Sequence, residues 1–124
     1  MVLNALELEP ALASDHFDYT IFDQTNIFYN KQLIKDGINP DRIYAHGLPI
    51  DETAEIIEAQ STIGKKAAAK VMHANQFGDE KDFKKILLES MTKGKYIIIN
   101  YNRADMGAEG GGHFSPLAAY IKTT

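Results

Sequence analysis

Between Asp79 and Ile121 the chain spells out a helix, a strand, a loose connection and a second strand, and that order constrains its fold most tightly. Phe83, Ile86, Leu87 and Met91 fall at i, i+3, i+4 and i+8, which is one face of an α-helix. Asp79 suits the N-cap, while Lys93 and Gly94 place a cation and a glycine at the closing end. The β-branched run Tyr96-Ile97-Ile98-Ile99 then reads as a buried strand. Asn102 to Gly112 is rich in glycine and charge, and His113 to Ile121 reads as the return strand.

The first half is less regular. Residues 11 to 23 mix aromatics with Asp15, Asp18 and Asp23 and read as a packed loop, followed by a helical turn around Gln24 to Tyr29. Gly37, Asn39 and Pro40 mark one turn and Gly47-Leu48-Pro49 another. Asp51 is the expected N-cap of a helix carrying Ala54, Ile57 and Ile63, helped by Ile56, and ending near Gly64. Lys65 to Met72 is alanine-rich, which favours helix, but its place between two helices favours a strand, and a strand is expected there. Met1 to Pro10 reads as the last turns of an apolar helix stopped near Pro10. Met1 already lies inside that pattern and no cap precedes it. Residues 1–124 are therefore expected to be one domain, truncated at both ends.

Composition removes several function classes. The net charge of -4 and scattered basic residues argue against a nucleic-acid partner. Lys81, Lys84 and Lys85 sit among acids and read as a solvated helix face. No cysteine is present, which excludes disulfides and thiolate metal sites. No apolar run reaches the roughly 20 residues of a membrane-spanning helix, so no membrane partner is expected. The compartment stays open. Asp15, Asp18 and Asp23 do not fit a calcium loop, and Gly110-Gly111-Gly112 lacks the following helix of a phosphate site. No metal site is expected.

Of the four histidines, His16, His46 and His73 lack ligand spacing and read as surface or packing residues. His113 follows three glycines at a strand start, where a rigid element with one open side suits a catalytic base. A plain hairpin explains the glycines equally well. Arg103, at the end of the preceding strand, can hold a substrate carboxylate by two parallel hydrogen bonds, or can be an exposed loop residue paired with Asp105 or Glu109 or with nothing.

Asn100-Tyr101-Asn102-Arg103 and the block Gly111-Gly112-His113-Phe114-Ser115-Pro116-Leu117-Ala118-Ala119-Tyr120 resemble the histidine hairpin of the phytochelatin synthase family. Met1-Val2-Leu3-Asn4-Ala5-Leu6 is similar to the end of that family's nucleophile helix. Asp18-Tyr19-Thr20-Ile21-Phe22, with Gln24, Asn26 and Phe28, resembles the loop after it. The resemblance implies an α+β, papain-like fold, with helices segregated from an antiparallel sheet on strands near 66–73, 95–101 and 113–121.

It also implies a γ-glutamylcysteine dipeptidyl transferase acting on glutathione. A cysteine thiolate attacks the Cys-Gly bond, glycine leaves, and the thioester passes its acyl group to a second glutathione or to water. His113 would be the catalytic histidine and Arg103 a substrate-carboxylate contact. Cadmium or zinc would enter as glutathione thiolate complexes in a heavy-metal response, with no cofactor held by identifiable residues. A homodimer is the other partner expected. The family's nucleophilic cysteine and its oxyanion-hole glutamine would precede Met1, and the aspartate that orients the histidine would follow Thr124. The segment alone is therefore expected to be inactive. Two other readings stand beside this one: a non-catalytic homologue that binds glutathione or a partner, and a papain-like amidase for a different thiol peptide.

Overall fold

A computed structural model describes residues 2–10, 21–62 and 64–119, in two units comprising residues 1–71 and 72–124. The described elements are α+β, with five α-helices and one two-stranded antiparallel sheet. Residues 11–20, which hold His16, Asp15 and Asp18, and residues 120–124 lie outside the described residues, as do Met1 and Ile63.

The first unit carries α1 (Val2–Ala5), a 3₁₀ turn (Asn26–Phe28), α2 (Lys31–Lys35), α3 (Pro40–His46) and α4 (Ile50–Ala59). Its deepest side chains, Leu33 and Ile38, lie at opposite sides of the end of α2. Gly37 turns left-handed at φ 71°. This lets Ile38 N–H donate to the Leu33 carbonyl at 3.0 Å and Gly37 N–H to that of Ile34 at 3.2 Å. The paired bonds satisfy the last carbonyls and bring the two apolar side chains together. Ile56 of α4 completes that cluster, with Ile27, Phe28, Ile43, Leu48 and Ala59 packed against it. Each fully buried Leu or Ile contributes about 1.5–3 kcal/mol.

The same closure ends α1, earlier than the expected stop near Pro10. Leu8 N–H donates to the Leu3 carbonyl at 3.3 Å and Glu7 N–H to that of Asn4 at 3.0 Å. Glu7 takes the left-handed position at φ 58°. Leu3 and Leu8 are buried together with Phe22 and Ala67, so burial of two leucines, not Pro10, terminates this helix.

Side-chain amides tie the unit together. Asn4 pairs with the backbone of Phe22 in both directions, at 3.1 and 2.8 Å. Asn30 caps α2 by accepting from Gln32 and Leu33 N–H, and its amide donates to the Ala59 carbonyl at the end of α4. Buried Gln60 donates to the carbonyls of Ile27 and Ile56. No hydrophobic period marks the helices α2 and α3 in the sequence, because five and seven residues carry too little of it. Their caps were visible: Asn30 for α2, and Asn39 with Pro40 in the first helical position for α3.

Three expectations here are corrected. Pro49, not Asp51, occupies the N-cap of α4, and Asp51 lies with Glu52 inside the first turn, where both favour the helix dipole. The helix ends at Ala59 instead of near Gly64, where Ser61 N–H and Oγ both turn back to the Glu58 carbonyl. No strand forms at Lys65–Met72. Ala67 N–H donates to Ser61 Oγ at 2.9 Å and Ala69 N–H to Glu58 Oε1 at 3.0 Å, so side chains take the donors that a sheet ladder would have used.

The second unit contains a 3₁₀ turn (Ala74–Gln76), α5 (Glu80–Thr92), β1 (Ile98–Asn102), a 3₁₀ turn (Arg103–Met106) and β2 (Gly112–Pro116). The cap of α5 is as expected: Asp79 accepts from Asp82 N–H at 3.0 Å, and the Asp82 carboxylate reaches back to Gly78 N–H. Phe77 and Phe83 meet edge to face with centroids 5.2 Å apart, closing the first turn. Leu87 is buried, whereas Phe83, Ile86 and Met91 are half-buried. Lys84 pairs with Glu80 at 2.5 Å on the solvated face.

The strands begin and end differently from expectation. Lys95 N–H is still bonded to Ser90 in the closure of α5, which delays β1 to Ile98. Ile97 to Ile99 are half-buried and Tyr96 is exposed, since a two-stranded ribbon cannot cover both of its faces. The ladder of β2 stops at Pro116, with one further bond from Leu117 N–H to the Ile97 carbonyl at 2.8 Å.

Candidate functional site

The hairpin register decides which side chains share a face. Tyr101 pairs with His113, Ile99 with Ser115 and Asn102 with Gly112. Side chains two apart on a strand point the same way, so Tyr101, His113 and Ser115 lie on one face. The Tyr101 hydroxyl stands 3.5 Å from Ser115 Oγ. Its ring meets the imidazole of His113 edge to face, with centroids 5.8 Å apart and planes at 78°.

Arg103 opens the connection between the strands, and its backbone is held at both ends. Its N–H donates to the Gly111 carbonyl at 3.0 Å, and its own carbonyl accepts from Ala108 N–H at 3.0 Å. The Asn102 side chain caps the 3₁₀ turn by accepting from Ala104 N–H. From this fixed base the Arg103 side chain runs back over Gly110. A Cβ at Gly110 would lie 3.1 Å from Arg103 Cδ, and the glycine itself sits at φ +114°. The glycine therefore supplies both a backbone conformation and the space for the arginine.

The guanidinium ends on the imidazole. Arg103 Nη2 lies 2.6 Å from His113 Nδ1 and 3.3 Å from Nε2. The lone-pair directions of the two ring nitrogens diverge, so one atom near both cannot lie along either. Nη2 is thus shared between the two ring nitrogens, nearer to Nδ1 and within hydrogen-bond distance of it. Both side chains are half-buried, and among the described residues no ion pair joins Arg103 to Asp105 or Glu109.

The structure thus brings Arg103 and His113 into contact. His46 is exposed at the end of α3, and His73 precedes the Ala74–Gln76 turn, its N–H donating to Gln76 Oε1. Tyr101, Ser115 and the particular need for Gly110 were not singled out from sequence. The period-2 spacing of Tyr101 with Arg103 and of His113 with Ser115 carried part of that signal. Among the described residues no group of three or more His, Asp or Glu is placed to hold a metal ion, and no helix is long and apolar enough to cross a membrane.

The family model for phytochelatin synthase matches residues 1–124, the whole of the sequence. The chain belongs to the phytochelatin synthase family. No curated protein and no solved structure matches it. Family membership supports a phytochelatin synthase-like role, with transferase chemistry and glutathione as the substrate at family level. In this family member, the histidine hairpin is the element on which the arginine and the histidine meet.

Proposed function

We propose that the protein serves as a phytochelatin synthase-like acyltransferase acting on glutathione, with His113 as its acid–base group and Arg103 as the contact for a substrate carboxylate. The observation that carries this reading is the Arg103–His113 pair on one hairpin face, in a chain matched along its whole length by the family. In the reaction, a cysteine thiol gives its proton to His113 and the thiolate attacks the Cys-Gly carbonyl. The C–N bond breaks, His113 returns the proton to the departing glycine amine, and a γ-glutamylcysteinyl thioester remains. The amine of a second glutathione, or water, then takes the acyl group. Cadmium or zinc enters as part of the substrate, bound to glutathione thiolates. A papain-like architecture and a single domain belong to the same reading.

No cysteine occurs among the 124 residues, so the nucleophile has to come from outside them. That absence also favours a second reading, in which the chain is a glutathione-binding module without catalysis. In either case the chain alone releases glycine from glutathione at the rate of buffer. Turnover clearly above buffer and sensitive to His113→Ala would overturn this. Glutathione titration by calorimetry tests Arg103: the affinity falls on Arg103→Ala, and an unchanged affinity removes the role given to it. A cysteine encoded shortly upstream of Met1 separates the enzyme from the module. Sedimentation equilibrium tests the homodimer carried with this reading.

A further inference from the structure

We propose that the Arg103–His113 contact is a latch opened by a ligand carboxylate, so that His113 is freed only under a substrate whose carboxylate is unmasked. This rests on the reading of Arg103 as a substrate contact and adds what that contact does to the histidine. A guanidinium carries five donors and no acceptor. In the hairpin its near partner is the imidazole of His113, met by Nη2 alone, which leaves most of those donors unused by the site. A carboxylate offers two oxygens and a negative charge, in the fork geometry that fits arginine by two parallel bonds, where the imidazole meets a single guanidinium nitrogen. The exchange therefore runs from imidazole to carboxylate.

The hairpin is built for that exchange to be local. The backbone of Arg103 is pinned by its bonds to Gly111 and Ala108, so the connection need not move. Its side chain lies over a glycine, with Cδ and Nη1 the atoms nearest to where a Cβ would stand, so no side chain at that position blocks it. His113 stays on the ladder opposite Tyr101, whose ring edge still supports the imidazole. The arginine leaves and the histidine remains in place. Specificity follows: a ligand of the same shape with esterified carboxyl groups leaves the latch closed.

Nuclear magnetic resonance on the full chain reads this directly, through the Overhauser cross-peaks between the Arg103 side chain and the His113 ring. The probe is S-methylglutathione, compared with its diethyl ester. The acid should abolish these cross-peaks and shift the His113 ring protons saturably, while the diester at equal concentration changes neither. Saturable shifts at Tyr101 or Ser115 with the cross-peaks intact overturn the latch but leave the substrate reading standing. No saturable shift anywhere on the hairpin overturns both. Opening by the diester as well as by the acid overturns the requirement for a carboxylate.

Discussion

Tyr101 stands directly opposite His113 in the hairpin, and its ring presses edge to face on the imidazole at a centroid distance of 5.8 Å. With Arg103 against the same imidazole, the histidine is held by two residues that lie two positions apart on one side of the connection. The ring contact is what remains to hold the imidazole when the arginine turns away.

Removing that ring should therefore cost more than removing its hydroxyl. An edge-to-face aromatic pair contributes about 0.5–1.5 kcal/mol beyond the area it buries. The hydroxyl contact to Ser115, at 3.5 Å, lies at the outer limit for a hydrogen bond. Tyr101→Ala is expected to lower stability by about 1–2 kcal/mol, whereas Tyr101→Phe stays within about 0.5 kcal/mol. Urea unfolding of both variants, with the His113 ring signals as a local probe, checks this. Equal losses for the two would mean that the hydroxyl, not the ring, supports the histidine.

The three glycines before His113 should not behave alike. Gly110 sits at φ +114°, with Arg103 Cδ 3.1 Å from the position of a Cβ, whereas Gly111 and Gly112 have open space there and no positive φ. Alanine at a left-handed position loses more than the roughly 0.4–1 kcal/mol that it gains elsewhere by stiffening the unfolded chain. Gly110→Ala is thus expected to destabilise by more than about 1 kcal/mol and to push Arg103 off His113. Gly111→Ala and Gly112→Ala should each lie within about 0.5 kcal/mol of the parent. Thermal unfolding of the three variants ranks them, and equal effects would show that the glycines serve only as a flexible connection.

This difference marks how far the sequence could be read. The triplet pointed to His113, but it could not say which glycine mattered, because that depends on where the Arg103 side chain returns. Helix α5 was legible throughout: its face, its Asp79 cap and its Gly94 closure are all local signals. The strand expected at Lys65–Met72 failed for a non-local reason, since Ser61 and Glu58 supply the partners of that backbone. Arg103 and His113 were both named from the sequence. Their mutual contact was not, because it requires the register that sets Tyr101 opposite His113.

The end of α1 offers a stabilising change. Glu7 occupies at φ 58° the position that Gly37 fills at the end of α2. A left-handed conformation costs an L-residue about 1–2 kcal/mol, and glycine gives back about 0.5–1 kcal/mol through its larger entropy loss. Glu7→Gly should therefore stabilise by about 0.5–1 kcal/mol. Little is lost with the side chain, since its pairing with Lys65 spans 4.0 Å between exposed groups. Lys65 Nζ also donates to the Glu7 carbonyl at 2.8 Å, which glycine retains. Denaturant midpoints of the parent and variant test this. A loss of stability would show that the carboxylate matters more than the backbone.

The last prediction concerns pH and the carboxyl groups of exposed Asp36 and half-buried Glu55. Their mutual hydrogen bond raises Glu55 above its ordinary value, with desolvation adding to the rise. The same bond, helped by one from Gln32 and by the charge of Lys35, lowers Asp36. When Glu55 carries its proton it donates to Asp36 and joins the end of α2 to α4. The contribution of Glu55 is present below its unfolded value and fades as pH rises through its raised folded value. That of Asp36 is present above its unfolded value and fades as pH falls through its lowered folded value. The contact is strongest in the acidic window between the two folded values and weakens on either side, where both groups are charged or both are neutral. Glu55→Gln keeps a donor to Asp36 at every pH, so it should flatten the loss on the neutral side and leave the loss at low pH. Thermal midpoints measured for both proteins from pH 3 to pH 8 distinguish the outcomes, and parallel curves would show that the pair has no part in the pH dependence.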